Sequence, residues 1–543
     1  MILKLKTEHS KTARYTSNRN MNVAEISAKK SDSPPGPASK DHKSKQQNDA
    51  VNSIRGSTLL LMGRILSVGM NFISQILLVR YLSKADYGAW AYALSVVSFF
   101  QVISSFGFKN AISRYLPYYS ERKEYPKMFG LLLLVAATIA LLSTMVITLI
   151  FLFPSLPQKL VSQSDFPVLI VTILIFAVPI ESFDRALMAL FASLDKPLAI
   201  FWRKYLLSPA LKLTLVLIVI YFQKNLYFLS YGYIIVGMTG LALYSALLIR
   251  LLKTQSAQTP HSFRSLQFPV RELYGFSIPL FTTEMMAMLL LTADTFFLGY
   301  FHGTETLATY RVILPLAQLN TMIKMTFSLL FMPAVARLWA KGNHQAMNQL
   351  YWQTAQWLAL LSFPLFALTF ASAENLTSLF YGERYQGSWL YLQILAAAYF
   401  FDISLGFNAL TLKVTGRIRY IVAINIIAVT ANIILNILLI PEWGALGAAI
   451  ATALSVMIHA LLKQTGLAGV GSVMPLNASY FSRVILFVTC TALLYLFFTL
   501  TGSHIIIQVS LTTLVWLLLL RLLNIGDIFP ELKKIPFLRY FLN

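Results

Sequence analysis

Residues 80–100, RYLSKADYGAWAYALSVVSFF, change character halfway. The stretch opens with charge and a turn, through Arg80, Lys84, Asp86 and Gly88. From Tyr87 to Phe108 the chain then has no charged residue. A soluble protein uses such a run once, as a buried helix. Here the pattern recurs along the whole chain, which is 57% hydrophobic and only 12% charged over 543 residues, with a mean hydropathy of +0.65. A polar surface cannot cover that composition, so the chain reads as an integral membrane protein.

A spanning helix needs about 20 mainly apolar residues. Such runs lie near 57–79, 89–108, 128–152, 167–191, 204–222, 228–249 and 274–298. A second set lies near 308–332, 354–372, 389–411, 418–440, 444–466, 482–500 and 504–523. The expected fold is therefore an all-α integral membrane protein of about 14 transmembrane helices. The run 204–249 and the short connection from Pro441 to Gly444 are where this count is most open.

An even count puts both ends on one side. With the N-terminus cytoplasmic, the inner loops and C-terminal tail hold 23 basic residues, among them Arg114, Arg122, Arg203, Lys204, Arg337, Lys341 and Lys463. The outer loops hold 5: Arg80, Lys84, Lys159, Lys224 and Arg384. That is the positive-inside bias, and it places both termini in the cytoplasm of a multi-pass inner-membrane protein. The formal net charge of +22 is then mostly topology and calls for no nucleic acid.

Residues 1–55 include KKSDSPPGPASKDHKSKQQND (29–49), rich in Pro, Ser and Lys, and read as a disordered basic cytoplasmic tail. The tail lacks the continuous apolar core of a secretory signal peptide. Its charge suits contact with anionic lipid, and a plain solvated extension fits equally. At the other end GDIFPELKKIPFLRYFLN (526–543) reads as an interfacial segment. The single cysteine, Cys490, excludes a disulfide framework and a cysteine metal site. Neither G-x-x-x-x-G-K-[ST], H-E-x-x-H nor G-x-S-x-G occurs, so the chain carries no phosphate loop, zincin motif or nucleophile elbow.

Offset by 219 residues, YLSKADYGAWAY (81–92) lies over YFHGTETLATYR (300–311), with Tyr81 on Tyr300 and Asp86 on Glu305. AISRYL (111–116) likewise resembles AVARLW (334–339). These matches fall after spans one and seven, and after spans two and eight. Six spans per half is an even number, so the halves run parallel, a repeat that places a substrate site between them. The expected divisions are 56–252 and 273–466 for two six-helix lobes, with a cytoplasmic linker at 253–272. Two additional helices follow at 467–524, then the tail 525–543.

The chain resembles the polysaccharide-flippase (Wzx-like) branch of the MOP exporter superfamily. The resemblance rests on LLVRYLSKADYGAWAYALSVVSFF (77–100), FGFKNAISRYLPYY (106–119), SIPLFTTEMM (277–286) and ADTFFLGYFHGTETLATY (293–310). It continues through MPAVARLWAKGNHQAM (332–347), LFYGERYQGSWLYLQILAAAY (379–399) and LLIPEWGALGAAIATALSVMI (438–458). It implies two six-helix lobes in a V, alternating access, and a lipid-diphosphate-linked sugar as cargo, with membrane lipids and polysaccharide assembly proteins as partners. The long N-terminal extension and the two extra C-terminal spans depart from that pattern, and fourteen spans also occur in relatives that flip the peptidoglycan precursor.

Charges inside spans are costly and usually face a cavity or a partner. They are Arg64, Glu181, Asp184, Arg185, Lys212, Glu284, Asp294, Lys324 and Asp402. Arg64, Arg185, Lys212 and Lys324 fall in the inner third of their spans, a belt suited to a diphosphate headgroup. Snorkelling to the interface, or pairing of Glu181 with Arg185 four residues away, is the other reading. Glu284 lies roughly 15 Å into span seven at about 1.5 Å per residue, and Asp402 at similar depth in span ten. Asp294 is nearer the outer side, with Arg311 as a candidate partner. Buried carboxylates of this kind suit coupling or gating by a proton or sodium ion, and a fixed ion pair between helices is the alternative. Pro279, just before Glu284, removes a helix hydrogen bond and is a candidate gate, as are Pro179 and Pro315. No catalytic residue, metal site or other cofactor is expected.

The function read from all this is a flippase for an isoprenoid-diphosphate-linked oligosaccharide, serving surface polysaccharide biosynthesis. A cation-coupled drug or peptidoglycan-precursor exporter of the same fold is the nearest alternative. A membrane glycosyltransferase or O-antigen ligase is a further one, disfavoured by short outer loops.

Overall fold

The turn inside the opening stretch is a helix cap. Ser83 Oγ accepts the backbone N–H of Asp86 at 3.0 Å and starts a helix that runs from Lys84 to Ser105. The computed structural model describes residues 59–60, 62–153, 168–254, 266–471, 473–474 and 477–522. The two expected tails, and most of the linker expected at 253–272, lie outside the described residues.

The helices in chain order are α1 (Met62–Tyr81), α2 (Lys84–Ser105), α3 (Phe108–Glu121), α4 (Tyr125–Leu152), α5 (Val168–Leu174) and α6 (Ala177–Ser193). Next come α7 (Pro197–Tyr221), α8 (Leu226–Thr254), α9 (Val270–Arg311), α10 (Leu314–Ala317), α11 (Leu319–Ala340) and α12 (His344–Ala371). The chain ends with α13 (Ala373–Tyr381), α14 (Trp389–Ser404), α15 (Asn408–Val414), α16 (Ile418–Ala468), α17 (Ala478–Thr501) and α18 (Ile505–Leu522). The fold is all-α and multi-pass, as expected.

Eleven of the described helices are long and apolar enough to cross a membrane, or twelve with the bent α11 counted as one span. Fourteen spans remain compatible with this because of two features. The 51-residue α16 is a hairpin, not a rod: at Gly444 the backbone turns to φ 53°, ψ −127°. Tyr420 OH donates to Leu462 O at 2.6 Å and Asn432 Nδ2 to Ser455 Oγ at 3.2 Å, pairs that only antiparallel arms can make. The expected fourth span is broken between Leu174 and Ala177, so that neither α5 nor α6 reaches spanning length alone. α9 turns in the same way at Gly303 (φ 73°, ψ −171°), and span eight therefore starts earlier than expected and runs in pieces through α10 and α11. α9 stays helical through Pro279.

The parallel repeat is visible in side-chain pairs. Gln75, near the end of span one, donates to the hydroxyl of Tyr87 in span two at 3.2 Å. Asp294 lies 219 positions later and accepts the hydroxyl of Tyr310, beyond the Gly303 turn, at 2.5 Å. Each first span of a half is thus clipped to its second by a polar residue facing a tyrosine.

Where the apolar cores sit defines the shape. Leu78, Val79, Trp90, Ile170 and Leu226 of the first half share one core with Leu298, Leu307, Tyr381, Leu392 and Ile440 of the second. This is the end that bears the basic-poor loops. Toward the basic-rich end the core divides. One part, around Phe108, Leu131, Leu190 and Tyr244, belongs to the first half apart from Leu273. The other, around Tyr351, Phe363, Phe400 and Tyr480, belongs to the second half and to α17. The lobes thus share one core at the basic-poor end and have separate cores toward the other, where the first arm of α9 still packs on α3 through Phe108–Tyr274 and Asn110–Glu284.

Candidate functional site

The interior holds two adjoining cavities of about 340 and 610 Å³. Asn71, Gln101, Glu181, Arg185, Lys212 and Tyr233 line both. The smaller is also walled by Asp184, Arg203 and Lys204 and belongs wholly to the first lobe. The larger reaches the second lobe at Met288, Leu291, Thr292, Arg311 and Leu314. The smaller cavity thus carries four cations against two carboxylates, a net excess of positive charge in a polar chamber. The larger adds Arg311 and the aromatic faces of Tyr87 and Trp90.

Local structure explains how the cations point inward. Within α7, residues Phe201–Leu207 form a π-helical stretch, whose wider turn shifts the helix register. Arg203 is consequently buried, with its guanidinium 2.8 Å from Asp184 on α6 and packed over the Tyr244 ring of α8. Gly240 of α8 makes room for it: a Cβ there would lie 1.9 Å from Arg203 Nη2. Lys212 lies over the ring of Tyr233, whose hydroxyl donates to Glu181 at 2.8 Å. Arg185 donates to Gln101 Oε1 at 2.6 Å. Glu181 therefore takes a tyrosine and not the Arg185 one turn away.

Among the residues singled out from the sequence, Arg185 and Lys212 line both cavities. Arg64 is not on either lining, and it reaches across the lobe boundary to Met325 Sδ at 2.6 Å. Glu284, on the first arm of α9, accepts the Asn110 side-chain amide at 3.0 Å, while its other oxygen is buried with no partner among the described residues. This contact ties the second lobe's first span to α3, beside the ion-paired wall.

Asp294 is buried and accepts Tyr310 OH together with the backbone N–H of Thr295, so the anticipated Arg311 is not its hydrogen-bond partner. Lys324 and Asp402 meet each other instead of facing cargo or solvent separately. Lys324 Nζ lies 2.8 Å from Asp402 Oδ2, and Lys463 Nζ lies 2.8 Å from Oδ1.

Two of the residues in the loop charge count lie inside: Arg203 and Lys463 are buried within helices, whereas Lys204, in the same π-helical stretch as Arg203, is exposed and lines the smaller cavity. Asp184 and Asp402 were the only available signal, as carboxylates in spans that required cations of their own. The bias of the loops survives their removal.

At the basic-poor end two arginines cross between lobes. Arg80, at the end of α1, donates to Leu379 O and, at 2.9 Å, to Phe380 O in the last turn of α13. Arg384 returns the contact by donating to Val79 O in the last turn of α1. Each cation thus caps the negative end of the other lobe's helix, and the pair closes this end.

Several known proteins share this architecture. A lipid II flippase in an inward closed conformation superposes with a TM-score of 0.67 at 16% identity, covering 88% of this chain and all of its own. An inward-facing multidrug resistance transporter of the MATE family in the MOP superfamily gives 0.58 at 13% identity, over 76% of this chain and 99% of that one. An uncharacterized membrane protein of Methanocaldococcus jannaschii is 23% identical over 414 residues, 74% of this chain and 81% of its own length. Residues 279–438 match the MatE family. Residues 53–339, more than half of the chain, match the polysaccharide biosynthesis protein family, and the chain belongs to that family, within the MOP exporter superfamily.

Proposed function

We propose that this membrane transporter is a flippase for an isoprenoid-diphosphate-linked oligosaccharide, working by alternating access from the cytoplasmic to the outer leaflet. The observation that carries the reading is the basic chamber of the first lobe, which adjoins a larger cavity that reaches the second lobe. A diphosphate headgroup brings two or more negative charges and planar oxygen pairs, which guanidinium groups bind through paired charge-assisted hydrogen bonds. Arg185 and Lys212 are the cargo-facing cations, and Arg203 is held ready by Asp184. The larger cavity, with Trp90, Tyr87, Gln75 and Asn71, offers ring faces and amides for the sugar. Glu284 and Pro279 on α9 form the moving wall, and no covalent step is involved.

In this reading both termini are cytoplasmic, the lobes are 56–252 and 273–466, and polysaccharide assembly proteins receive the cargo. The physical need is plain: a sugar diphosphate cannot cross about 30 Å of hydrocarbon unaided. The test is leaflet-resolved analysis of lipid-linked sugar in a strain lacking the gene. The expected result is completed intermediate stranded on the cytoplasmic leaflet, loss of surface polymer, and unchanged sensitivity to unrelated cationic drugs. Intermediate accumulating on the outer leaflet, open to an added glycosidase, points instead to a ligase or polymerase and sinks the flippase reading. Drug sensitivity with untouched sugar intermediates points to a drug exporter.

A further inference from the structure

At the basic-poor end the two halves close equivalent turns with different side chains. At the 219-residue offset Ser83, the cap of α2, falls on His302, which precedes the Gly303 turn of α9. In the second half the His302 ring crosses to the turn within α16. Its Nε2 donates to Ile440 O at 2.7 Å, and its Cε1 lies 3.6 Å from where a Cβ on Gly444 would stand. An imidazole thus fills the joint between two turns.

The corresponding joint of the first half lies between the α1–α2 turn and the α7–α8 turn. Ser83 is too short to cross it. Its hydroxyl stays at the start of α2, accepting Asp86 N–H at 3.0 Å and donating to Asp86 Oδ2 at 2.7 Å. The Tyr81 hydroxyl bridges the gap instead, donating to Lys224 O at 3.0 Å. What remains is a third cavity of about 310 Å³. It shares no lining residue with the other two, yet it lies one turn beyond the larger one on three helices. Leu78, Tyr87 and Leu229 line the larger cavity; Leu82, Ser83 and Leu226 line this one.

The lining has the chemistry of a sugar site. Tyr81 and Tyr227 supply aromatic rings, whose electron-rich faces suit the C–H faces of a sugar. Asp86 Oδ2 is taken by Ser83, which leaves Oδ1 as an acceptor. Asn225 Oδ1 accepts the Phe228 N–H at 3.1 Å, which leaves its Nδ2 as a donor, and the Gln223 amide supplies both. Hydroxyl groups, which donate and accept, match such a mixture. One carboxylate and one ammonium, that of Lys224, give the pocket no net charge, so neither a free anion nor a metal cation is drawn in. No group of three or more His, Cys, Asp or Glu among the described residues is placed to hold a metal ion. The volume is at the lower end of the range for small-molecule sites, about 300–1,000 Å³, and suits roughly one sugar residue. Exposed Tyr221, Phe222, Phe228 and Tyr231 flank the pocket along α7 and α8, as aromatic residues do at a membrane–water interface. The first sugars of a lipid-linked glycan lie at that level.

We propose that this pocket is an outer sugar site, which takes one residue of the glycan as it leaves the larger cavity. Its place in the cycle rests on the transport reading above, and its recognition of a sugar does not.

The test uses the full chain in phosphatidylcholine nanodiscs and saturation-transfer NMR. The probes are free glucose, galactose, mannose, rhamnose and N-acetylglucosamine, with glycerophosphoethanolamine standing for a phospholipid headgroup. The expected result is saturation transfer to at least one sugar and none to the headgroup. Ser83→His, which sets the second half's imidazole in the joint, should remove the signal. Tyr227→Ala keeps both helix caps and should weaken the signal about fivefold or more. Full signal in either folded variant, transfer to the headgroup alone, or no transfer to any of the sugars overturns the proposal. A sugar signal from a chain whose loss strands no lipid-linked sugar would retire the flippase reading alone, and flipping without a sugar signal would retire this one.

Discussion

A single methyl group tests whether Arg203 is built into the chamber. Gly240→Ala adds a Cβ that would sit 1.9 Å from Nη2, 2.0 Å from Cζ and 2.2 Å from Nε of Arg203. The guanidinium cannot slide aside freely, because Asp184 holds it at 2.8 Å and the Tyr244 ring lies beneath it. Overpacking of this kind costs about 1–3 kcal/mol. If Arg203 swings out instead, Asp184 is left beside Glu181 without its partner. Stranding one member of a fully buried pair costs about 3–5 kcal/mol, and Asp184 retains 26% side-chain exposure, so the lower end applies. The predicted loss is about 1–3 kcal/mol, since the protein takes the cheaper route.

The assay is equilibrium unfolding in mixed detergent and SDS, run as a double-mutant cycle with Arg203→Ala. In the Arg203→Ala background the added methyl meets empty space, so Gly240→Ala should then cost about 0.5 kcal/mol or less. The two substitutions should be strongly non-additive. Equal costs of Gly240→Ala in both backgrounds would refute the argument, because the clash would then lie with something other than the guanidinium. Transport should fall in the single variant for the same reason, as Arg203 leaves the wall.

Other expectations are shorter to state. With Cys490 replaced, single cysteines at Gln163 and Glu442 should react with an impermeant thiol reagent from outside and those at Gln258 and Asn343 should not; reversed labelling overturns the orientation. Arg185→Ala and Lys212→Ala should each abolish flipping in a folded, inserted protein, whereas Arg185→Lys should keep part of the rate, since the charge remains and the planar fork is lost. Arg64→Ala should alter the balance between conformations more than cargo affinity, which a shift in interlobe distance without a change in headgroup binding would establish. Arg80→Ala with Arg384→Ala should open the basic-poor end, read as faster labelling of a cysteine at the buried Ser388 position; unchanged labelling means the reciprocal caps do not hold the lobes.

The spans and their pairing were legible because each depends on neighbours in sequence. The apolar run after Gly88 is long enough to cross, and Ser83 marks its start whatever the rest of the chain does. The 219-residue offset was legible for the same reason, since the equivalent turns at Ser83 and Gly303 reuse the same local grammar. The hairpin within α16 was legible only in part. Pro441 and Gly444 mark a break, but the antiparallel contacts of Tyr420 and Asn432 that make it a turn lie 42 and 23 residues apart. Span four shows the opposite failure, because its interruption at Ile175 and Phe176 involves two apolar residues that carry no turn signal.

The site was harder to read, and the reason is electrostatic. Hydropathy assigns every charge near a span's end to a loop, because a lone cation there has no reason to stay inside. Arg203 and Lys463 break that rule only through carboxylate partners on other helices. Asp184 is 19 residues from Arg203, and Asp402 is 61 from Lys463. The same logic bears on the carboxylates. Asp402, taken alone, resembles an ion-coupling group waiting for a cation. Between two lysines it is already neutralised, and the surplus charge belongs to the lysines. The two lobes have thus settled the cost of a buried carboxylate in different ways. The first sets Asp184 and Glu181 among four cations and keeps the excess positive charge open to a cavity, where an anionic headgroup can complete it. The second closes its excess around Asp402, between Lys324 and Lys463, outside the linings of the two cavities.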